Sequence, residues 1–430
     1  MLKKILEKQL KIVAKLVLEK YHPQVIAVTG SVGKTSTREA IACVVRAKFT
    51  VRQNRKNYNN EIGLPLTILD VDSPGKSLFG WFFVFFRAYK LIIWRDNNFP
   101  EVLILEMGID HPGDMEYLTS IARPDIAVVT TVGQSHLEYF ETEEGLAKEK
   151  GVLVKNLNPK GFAILNYDDE RVRRMEKNTK ARVLTYGFDE KADIKSLELM
   201  FSFEKKKTKN ELHGLSYKLK YQGSFVPIHL SNSIGRPAVY ASLAAASVGL
   251  SYGMNLIEIS QALFDYETPL GRMKILKGVN STVLVDDTYN ASPQSTLAAI
   301  ETIGQIPLEK KARRWAILGD MLELGGYTVE GHQKVGQAVA TNNFDFLVAV
   351  GEMSLMIMTG AIDAGFSREN IFHLASSREV SDFVNNLLKP GDLLLIKGSQ
   401  GMRMERATKG LLAEPEQAKE LLTRQDWIDA

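Results

Sequence analysis

The chain reads Val25-Ile-Ala-Val-Thr-Gly30-Ser-Val-Gly33-Lys34-Thr35-Ser-Thr-Arg-Glu-Ala-Ile41, an apolar run that breaks into a glycine turn and then opens a helix. This strand, loop and helix predict a polyphosphate site, because the glycines let backbone N–H groups point inward and the helix presents its positive end to the anion. We expect Lys34 to reach the terminal phosphates and Thr35 to ligate Mg²⁺, so that the chain uses ATP or GTP. The predicted nucleotide-binding residues of this loop are Gly30, Ser31, Val32, Gly33, Lys34, Thr35 and Ser36.

The spacing of this loop differs from that of the common P-loop. Only Ser31 and Val32 separate Gly30 from Gly33, whereas the common pattern places four residues before Gly-Lys-Thr. An ordinary glycine turn with a chance lysine is the alternative interpretation. The apolar strand, both glycines and the Lys-Thr pair together favour the phosphate loop.

Composition limits the remaining possibilities. A chain of 430 residues with 45% hydrophobic content is too long for one ordinary core and predicts two or three domains. The net charge of +3 gives no electrostatic reason to expect a nucleic-acid partner. Cys43 is the one cysteine, which excludes an internal disulfide and predicts a core side chain.

The first 20 residues predict a basic amphipathic helix. Leu2, Ile5, Leu6, Leu10 and Val13 recur at helical spacing among lysines. The segment lacks the uninterrupted apolar centre of a signal peptide, which predicts a cytoplasmic protein. Three roles stay open for this helix: docking on the body of the protein, lying on an anionic membrane surface, or binding a partner protein.

A second apolar segment spans residues 78–94 and is dense in aromatic side chains. It contains two cations, Arg87 and Lys90, and falls short of the roughly 20 residues that a membrane-spanning helix needs. We expect an interfacial or a buried helix. Peripheral attachment at the inner face of the membrane, through residues 1–20 and 78–94, is therefore one hypothesis.

Apolar runs alternate with helix-like segments along the rest of the chain, which predicts an α/β fold with a largely parallel sheet. Ligands of such sheets bind beyond the carboxyl ends of the strands, which selects Glu106 and the segment from Thr131 to His136. Residues 189–222 predict exposed antiparallel strands on the same domain. The expected division is a helix at 1–23, a central domain at 24–267 and a second α/β domain at 268–430.

Many short motifs in a fixed order resemble those of the Mur ligase family, which forms amide bonds with ATP in bacterial cell-wall precursors. The short phosphate loop is that family's own variant. The further matches, which span most of residues 25–406, are Asn57-Tyr-Asn59-Asn60-Glu-Ile-Gly63, Leu105-Glu106-Met-Gly108, Thr131 through His136 to Lys150-Gly151, Gly271-Arg272-Met273, Asp286-Asp287-Thr-Tyr-Asn290-Ala-Ser-Pro293, Leu318-Gly319-Asp320-Met321-Leu-Glu323-Leu-Gly325 with His332, and Lys397-Gly398-Ser399 with Met404-Glu405.

The resemblance implies a central P-loop ATPase-like domain with a mostly parallel sheet and a carboxyl-terminal Rossmann-like α/β domain. It implies a ligase that phosphorylates a carboxylate and lets an amine attack the acyl phosphate. The signatures around Asp287 and Asp320 resemble most closely the MurF type, which adds D-alanyl-D-alanine to a UDP-muramoyl tripeptide. Addition of D-Ala-D-Ala or of an amino acid to a peptidoglycan precursor is the expected reaction.

The resemblance also implies catalytic roles in the central domain. Lys34 would contact the β- and γ-phosphates, and Thr35 and Glu106 would ligate one Mg²⁺. His136 would ligate a second Mg²⁺, together with Lys150 carbamylated by CO₂. The alternatives are a helix cap or surface acid for Glu106, a structural histidine for His136 and a solvated lysine for Lys150; Lys148 would point elsewhere on the helix.

Further binding residues follow from the same resemblance. In the second domain Arg272, Asp287 and Asn290 would contact the nucleotide, with a salt-bridged linker arginine and an Asx turn before Pro293 as alternatives. The predicted substrate-binding residues are Asn57, Asn59, Asn60, Lys397 and Ser399.

The chain departs from the family pattern at two places. Ala241 stands where the family has an asparagine that contacts adenine, and only about 24 residues precede the phosphate loop, where the MurF type has a domain that binds UDP. The loop at 57–63, the segment at 78–94 or a partner chain would then hold the substrate.

Other functions stay open on the sequence. A non-UDP or lipid-linked carboxylate substrate is one, and a catalytically inactive nucleotide-binding scaffold is another. A P-loop kinase or GTPase is disfavoured because the chain has no Asn-Lys-x-Asp guanine motif. The sequence does not give the oligomeric state.

Overall fold

The computed structural model describes residues 2–55, 58–133, 140, 142–206 and 209–425. The chain divides into two compact units. The first contains Met1–Glu198, Tyr217–Ile228 and Val239–Tyr266, and the second contains Leu199–Ser216, His229–Ala238 and Glu267–Ala430. The amino-terminal helix belongs to the first unit, and the last boundary falls between Tyr266 and Glu267.

The first part of the chain alternates helices and strands, as the apolar runs predict. In order they are α1 Leu2–Tyr21, β1 Gln24–Thr29, α2 Lys34–Val45, β2 Val51–Gln53, α3 Gly63–Leu69, α4 Leu78–Ile93, β3 Val102–Glu106, α5 Asp114–Ile121, β4 Ile126–Val129, α6 Glu143–Lys155, β5 Phe162–Asn166, α7 Glu170–Arg174, β6 Arg182–Gly187, β7 Ile194–Lys206, β8 Lys209–Tyr221, β9 Ser224–Ser231, α8 Arg236–Ser251 and α9 Leu256–Phe264.

Among the described residues, nine strands form one sheet in the order β2-β3-β1-β4-β5-β6-β7-β8-β9. The strands from β2 to β7 pair in parallel. Because β3 and β4 flank β1, their carboxyl ends adjoin the phosphate loop that follows β1. This register explains why Glu106 and the residues after β4 lie beside that loop.

Strands β7 and β8 confirm that residues 189–222 contain strands, but their grouping differs from the expectation of a single domain. Each has 13 residues and is therefore about 43 Å long. They extend well beyond the short strands of the central sheet, and Leu199–Ser216 is grouped with the second unit.

Helix α1 docks on the first unit, which is one of the three roles that the sequence left open. Leu10, Val13, Ala14 and Val17 are buried in the main core of this unit. These residues recur at helical spacing, so one face of the helix is covered. The lysines of the opposite face stay exposed.

Helix α4 packs beside α1 through Val84, Ala88 and Leu91, which are buried. Its other face is exposed to solvent although it is apolar. Among the described residues, no helix combines the length and the apolar character that crossing a bilayer requires.

The second part of the chain forms another sheet. Its elements are β10 Lys274–Lys277, β11 Val283–Asp287, α10 Pro293–Gln305, β12 Arg314–Gly319, α11 Thr328–Thr341, β13 Phe346–Val350, α12 Leu355–Asp363, β14 Ile371–Leu374, α13 Val380–Val384, β15 Leu393–Lys397, α14 Glu405–Leu411 and α15 Ala418–Leu421. The described strands have the order β10-β11-β15-β12-β13-β14. Apart from β10, which is antiparallel to β11, the strands pair in parallel.

Short 3-10 turns complete the chain. They lie at Met175–Asn178, Val279–Ser281, Gly325–Tyr327, Arg368–Asn370, Gln400–Met402 and Pro415–Gln417. Both sheets confirm the predicted α/β class.

Candidate active site

The phosphate loop depends on glycine at two positions. Gly30 has φ +149°, and a Cβ there would lie 1.8 Å from the hydroxyl of Thr130. Gly33 has φ +85° and forms the N-cap of α2. A side chain at either position would strain the backbone, so the glycines fix the tight turn between β1 and α2.

Hydrogen bonds hold this loop against the segment that follows β4. Ser31 N–H donates to the Thr131 carbonyl (2.7 Å), and the Thr130 hydroxyl donates to the Val32 carbonyl (2.6 Å). Gly133 N–H donates to Ser31 Oγ (2.9 Å). The loop is thus rigidly placed beside the carboxyl end of the sheet.

Lys34 begins α2 and its ammonium group turns back over the loop. Its Nζ donates to the Gly30 carbonyl at 2.7 Å. Backbone N–H groups at the start of a helix and a lysine over the loop form an arrangement suited to phosphate oxygens. Ser36, the third residue of α2, is buried, and its carbonyl accepts from the Tyr266 hydroxyl (3.3 Å).

Glu106, the last residue of β3, is the buried carboxylate of this site. Its Oε2 accepts from the Thr35 hydroxyl (3.0 Å) and from Arg38 Nη1 (3.3 Å). Its Oε1 accepts from Asn59 Nδ2 (3.3 Å). This geometry disfavours the interpretation of Glu106 as a surface acid, and it adds Arg38, which the sequence reasoning missed.

The spacing of Thr35 and Arg38 contained a signal for that missed residue. Side chains three positions apart lie on the same face of a helix. If Thr35 contacts Glu106, Arg38 is therefore expected on the side of α2 that faces Glu106. Asn54 is a second missed residue: its Oδ1 accepts from the Glu106 N–H at 2.5 Å. It fixes the carboxyl end of β3 from the loop after β2.

The loop that contains Asn59 and Asn60, which we call the asparagine loop, reaches the same edge of the sheet. Gly108 N–H donates to the Asn59 carbonyl (2.9 Å), and a Cβ at Gly108 would come within 2.9 Å of the Asn59 side chain. Asn60 Oδ1 accepts from Gly63 N–H (2.9 Å) at the start of α3. Asn59 therefore lies at the carboxylate of Glu106, whereas the side chain of Asn60 binds the first backbone N–H of α3. Asn57 lies outside the described residues.

Lys150 lies on α6 with its side chain buried, whereas Lys148 is exposed on the same helix. Burial lowers the pKa of Lys150 well below its usual value, and the charge of Lys34 lowers it further. Asp110 and Glu149 act in the opposite direction. A buried lysine with a lowered pKa carries more of the neutral amine, which is the form that reacts with CO₂.

His136, predicted as a second metal ligand, lies outside the described residues. Within the part of the chain that the structure describes, no group of three or more His, Cys, Asp and Glu side chains converges as a metal site. The oxygens of Thr35 and Glu106 are the pair that suits a hard cation such as Mg²⁺, and its remaining ligands would be phosphate oxygens and water.

The second unit brings together another set of the predicted residues. Lys397 Nζ lies 2.6 Å from Asp287 Oδ2 and donates to the Asn290 carbonyl (2.9 Å). Asn290 Oδ1 accepts from Gln400 N–H (3.4 Å). The pairing of β11 with β15 places Asp287 opposite Lys397, so adjacent parallel strands create this cluster.

The side chain of Ser399 forms hydrogen bonds with the backbone of two neighbouring loops. Its Oγ accepts from Leu322 N–H (2.8 Å) and donates to the Ala291 carbonyl (3.3 Å). His332 is likewise buried, with Nε2 accepting from Met321 N–H (3.0 Å) and Nδ1 2.7 Å from the Thr328 carbonyl. Both residues organise the loop after β12.

Arg272 stacks over the ring of Tyr289, with its guanidinium carbon 4.3 Å from the ring centroid. Arg424, which no motif indicated, donates to the carbonyls of Thr288 and Tyr289. It also forms an ion pair with buried Glu405 (2.7 Å). Two arginines therefore brace the segment after β11.

Asp286, the neighbour of Asp287, is fully buried. The hydroxyls of Thr288 and Thr408 each donate to its Oδ1 at 2.9 Å. Burial raises the pKa of Asp286 to about 7, and the charges of Asp287 and Glu405 act in the same direction. This carboxyl is held inside the fold.

Ala241, the position at which the resemblance led us to expect an asparagine, is buried in α8. Its neighbour Tyr240 donates to Asp168 Oδ2 (2.7 Å) and meets the ring of Phe188 edge to face, with centroids 5.0 Å apart. Asp169, next to Asp168, accepts from Val132 N–H (2.7 Å) after β4. An aromatic pair and a carboxylate therefore occupy the region beside the phosphate loop.

Sequence profiles of two domains match the chain. The Mur ligase middle domain matches residues 28–80 and 88–249, and the Mur ligase glutamate ligase domain matches residues 271–400. The chain belongs to the Mur ligase family.

Its relatives in this family include ligases of defined name. The chain is 28% identical to the UDP-N-acetylmuramoyl-tripeptide–D-alanyl-D-alanine ligase of Bacillus subtilis strain 168, over 94% of this chain and 79% of that protein. It is 30% identical to the ligase of the same name from Synechocystis, over 91% of this chain and 75% of the relative. Membership of the family confirms the resemblance carried by the motifs.

Solved structures share the fold. The MurF ligase of Thermotoga maritima in complex with ADP superposes with a TM-score of 0.76 and 24% identity, covering 96% of this chain and 84% of that one. MurF from Acinetobacter baumannii gives a TM-score of 0.75 with 24% identity, covering 94% and 79%. The predicted combination of a P-loop ATPase-like domain and a Rossmann-like domain is therefore confirmed.

Proposed function

We propose that this Mur ligase joins D-alanyl-D-alanine to a muramoyl peptide in an ATP-dependent reaction that proceeds through an acyl phosphate. The observation that carries the proposal is the assembly of Lys34, Thr35, Glu106 and Lys150 around one phosphate loop. A carboxylate is a poor electrophile, so the γ-phosphoryl group activates it. The amine then attacks the acyl carbon, and phosphate leaves with the P–O bond intact.

The loop supplies the stabilisation of charge that phosphoryl transfer needs. The backbone N–H groups at the start of α2 would hold the phosphates, and the Lys34 ammonium would neutralise charge on the transferred group. The contact of Lys34 with the Gly30 carbonyl keeps the side chain over the loop. ADP in the Thermotoga maritima structure is consistent with a nucleotide here.

Thr35 and Glu106 would hold one Mg²⁺, which supplies neutralisation of phosphate charge when bound. The hydroxyl and the carboxylate are already 3.0 Å apart, so both are directed at one point. Arg38 and Asn59 orient the carboxylate from opposite oxygens. Such outer contacts fix a ligand carboxylate in place.

Lys150 would carry a carbamate and, with His136, would serve a second Mg²⁺. The neutral amine attacks the carbon of CO₂, loses one proton and becomes an anionic oxygen ligand. The low pKa that burial gives Lys150 supports this modification. The exposed side chain of Lys148 makes it the less suitable lysine.

In the second unit, Arg272, Asp287 and Asn290 would contact the nucleotide, and Lys397 and Ser399 would lie on the side of the amino substrate. The ion pair of Asp287 with Lys397 supports a shared role for these residues. In the first unit, Asn59 is the best placed of the predicted substrate contacts, because it touches Glu106.

A panel experiment tests the proposal. Phosphate release from ATP is measured with UDP-muramoyl peptides and with lipid-linked muramoyl peptides, each supplied with D-Ala-D-Ala or with a single amino acid. Turnover that requires the UDP-linked tripeptide and D-Ala-D-Ala supports the assignment. Turnover with another amine contradicts it, and no turnover with any pair indicates a nucleotide-binding scaffold.

The lipid-linked muramoyl peptide is the second candidate substrate. The exposed apolar face of α4 favours it, because such a face suits peripheral contact with a membrane. Selective turnover of the lipid-linked member of the panel would establish this alternative.

A further inference from the structure

The exposed apolar side chains of the protein are concentrated on two helices. Among the described residues, half of the large hydrophobic side chains that are exposed lie on α1 or on the segment from α4 to Trp94. Those of the α4 segment are between 52% and 87% exposed. They are Leu78, Phe79, Phe82, Phe83, Phe86, Tyr89, Ile93 and Trp94, and α1 adds Ile5, Ile12 and Leu16.

We propose that these eleven side chains form a docking face for an anionic lipid bilayer, with α4 lying in the plane of the headgroups. The spacing of Phe79, Phe82, Phe86 and Ile93 puts them on one side of the helix, opposite the buried Val84 and Leu91. Packing within the chain accounts for the buried face of α4 but not for its exposed apolar face.

The charges around this face identify its occupant. Helix α1 contains six lysines and two glutamates, and α4 contains two cations and no acid, although the whole chain carries only +3. Lys4, Lys8 and Lys15 are exposed along one line of α1. They lie beside the exposed Ile5 and Ile12 on the helical wheel, so cations border the apolar stripe.

Two of the acidic side chains near the face lie close to cations, whereas Glu19 of α1 is exposed. Glu7 lies 3.5 Å from Lys3 Nζ, and Asp96 lies 3.1 Å from Arg87 Nη2. An anionic membrane surface attracts such a cationic border, and each lysine near the surface adds to the affinity. A second copy of this chain would instead bring the same positive charges together, which opposes self-association through this face.

Hydrogen bonds hold both ends of α4. Lys20 Nζ donates to the carbonyls of Leu91 and Ile92 (both 2.9 Å) at the end of α4. The Tyr21 hydroxyl donates to the carbonyls of Leu91 and Trp94 (both 3.2 Å). At the other end the Ser77 hydroxyl oxygen accepts from Gly80 N–H (3.1 Å). Capped ends let the helix present its aromatic side chains without rearrangement.

One end of the face adjoins the asparagine loop of the active site. Lys3 Nζ lies 3.0 Å from Glu61 Oε1, and Ser73 N–H donates to the Tyr58 hydroxyl (2.8 Å). Between Tyr58 and Glu61 lies Asn59, which contacts Glu106. Docking would therefore hold this loop beside the headgroup layer, although binding to the bilayer does not depend on the ligase activity.

Vesicle flotation tests the proposal with the full chain. The probes are vesicles of phosphatidylcholine alone and of phosphatidylcholine mixed with phosphatidylglycerol. We expect the protein to float with the mixed vesicles and the bound fraction to fall as salt is added. Failure of the unmodified protein to float with the anionic vesicles overturns the proposal.

Paired variants distinguish binding through this face from nonspecific hydrophobic binding. The double change Phe82→Ser and Phe86→Ser should weaken vesicle binding by about tenfold or more. The matched control, Phe225→Ser with Phe264→Ser, removes two phenylalanines that are exposed elsewhere and should bind as the unmodified protein does. Equal losses in the two variants overturn the proposal.

A charge series makes the same comparison for the lysines. Lys4→Gln, Lys8→Gln and Lys15→Gln together should weaken binding to the anionic vesicles by about tenfold to a hundredfold. The control series changes Lys160, Lys177 and Lys389, which are exposed elsewhere, to glutamine and should leave binding intact. Equal losses in the two series overturn the role given to the lysines.

Two further measurements keep the result interpretable. All changed side chains are exposed, so the thermal midpoint and the circular dichroism spectrum of each variant should match those of the unmodified protein. Light scattering gives the mass in solution. A dimer that the Phe82→Ser and Phe86→Ser variant abolishes, without vesicle binding by the unmodified chain, shows that a second copy covers the face and overturns the bilayer.

Discussion

Glu106 and Asp286 occupy comparable places in the two units. Each is buried near the carboxyl end of a strand with neighbours on both sides. Their surroundings differ. Glu106 faces a hydroxyl, a guanidinium and an amide from three separate elements, whereas Asp286 accepts two threonine hydroxyls and lies near two other carboxylates, which help to raise its pKa to about 7.

This difference teaches that the position of an acid on a sheet does not decide its function. Donors that converge on Glu106 orient a carboxylate beside a phosphate loop, where a cation can replace one of them. The carboxyl of Asp286 is enclosed and stabilises the fold in its protonated form. The first should therefore control catalysis, and the second should control the stability of the second unit.

The largest effect is expected at Lys34. The change Lys34→Ala removes the ammonium that, in the proposed reaction, would neutralise the transferred phosphoryl group, and it should lower the turnover number by about 10³-fold or more. Phosphate release under saturating substrates measures it. Lys148→Ala, at an exposed position of α6, is the control and should keep nearly full activity; equal loss in both variants would refute the role of Lys34.

The next effect concerns Glu106 directly. Glu106→Gln keeps the shape and a hydrogen-bond acceptor but removes the charge, so turnover should fall by about 10²-fold and the Mg²⁺ concentration for half-maximal activity should rise about tenfold. A Mg²⁺ titration of phosphate release measures both. Asp286→Asn is the control in the other unit. A Mg²⁺ dependence that moves for Asp286→Asn and not for Glu106→Gln would reverse the comparison.

Replacement of Lys150 tests whether its neutral amine carries a carbamate. Lys150→Ala should lose about 10²-fold in turnover, and formate or acetate should restore part of the activity by supplying a carboxylate at the vacated position. The same acids should not rescue Lys34→Ala. Full activity of Lys150→Ala, or a complete absence of rescue, would contradict the carbamate.

The smallest effect on activity is expected at Asp286, which should instead affect stability. The folded pKa of about 7 lies above that of an unfolded aspartate, so the folded state binds the additional proton. This contribution is complete at low pH and is lost as the pH rises from about 4 to about 7, by about 1.4 kcal/mol per pH unit at most. The Asp286→Asn variant cannot lose this proton, so its free energy of unfolding should not show this decrease with pH.

Urea unfolding of both proteins between pH 5 and pH 8, followed in the transition of the second unit, measures the difference. We expect the free energy of unfolding of Asp286→Asn to increase relative to that of the unmodified protein as the pH rises. A constant difference across this range would show that Asp286 is charged in the folded state.

The sequence predicted the strand-loop-helix unit and the edge of the sheet where the site lies, because apolar runs and glycines encode them locally. Thr35 and Glu106 came from motifs, and the structure shows their contact. The spacing of Arg38 from Thr35 contained a signal, but the contacts of Arg38 and Asn54 with Glu106 were not predicted, because they join residues that are 68 and 52 positions apart. Spatial contacts of this kind depend on strand order, which periodicity does not specify.

The two apolar helices show a different limit. The pattern of α1 fits docking on protein or on membrane equally well, because both environments select an apolar stripe. The structure resolves the inner face, where Leu10 and Val17 are buried. Strands β7 and β8 show the third limit: their alternation predicted strands, but their 13-residue length and their grouping with two units depend on long-range packing.

The central claim is that the site around Glu106 transfers phosphate to a carboxylate. The direct test supplies a muramoyl peptide whose terminal carboxylate is labelled with ¹⁸O, together with ATP and D-Ala-D-Ala, and measures the released phosphate by mass spectrometry. An acyl phosphate leaves one carboxylate oxygen on phosphorus, so we expect phosphate that carries a single ¹⁸O for each amide formed. Unlabelled phosphate in step with amide formation would contradict it.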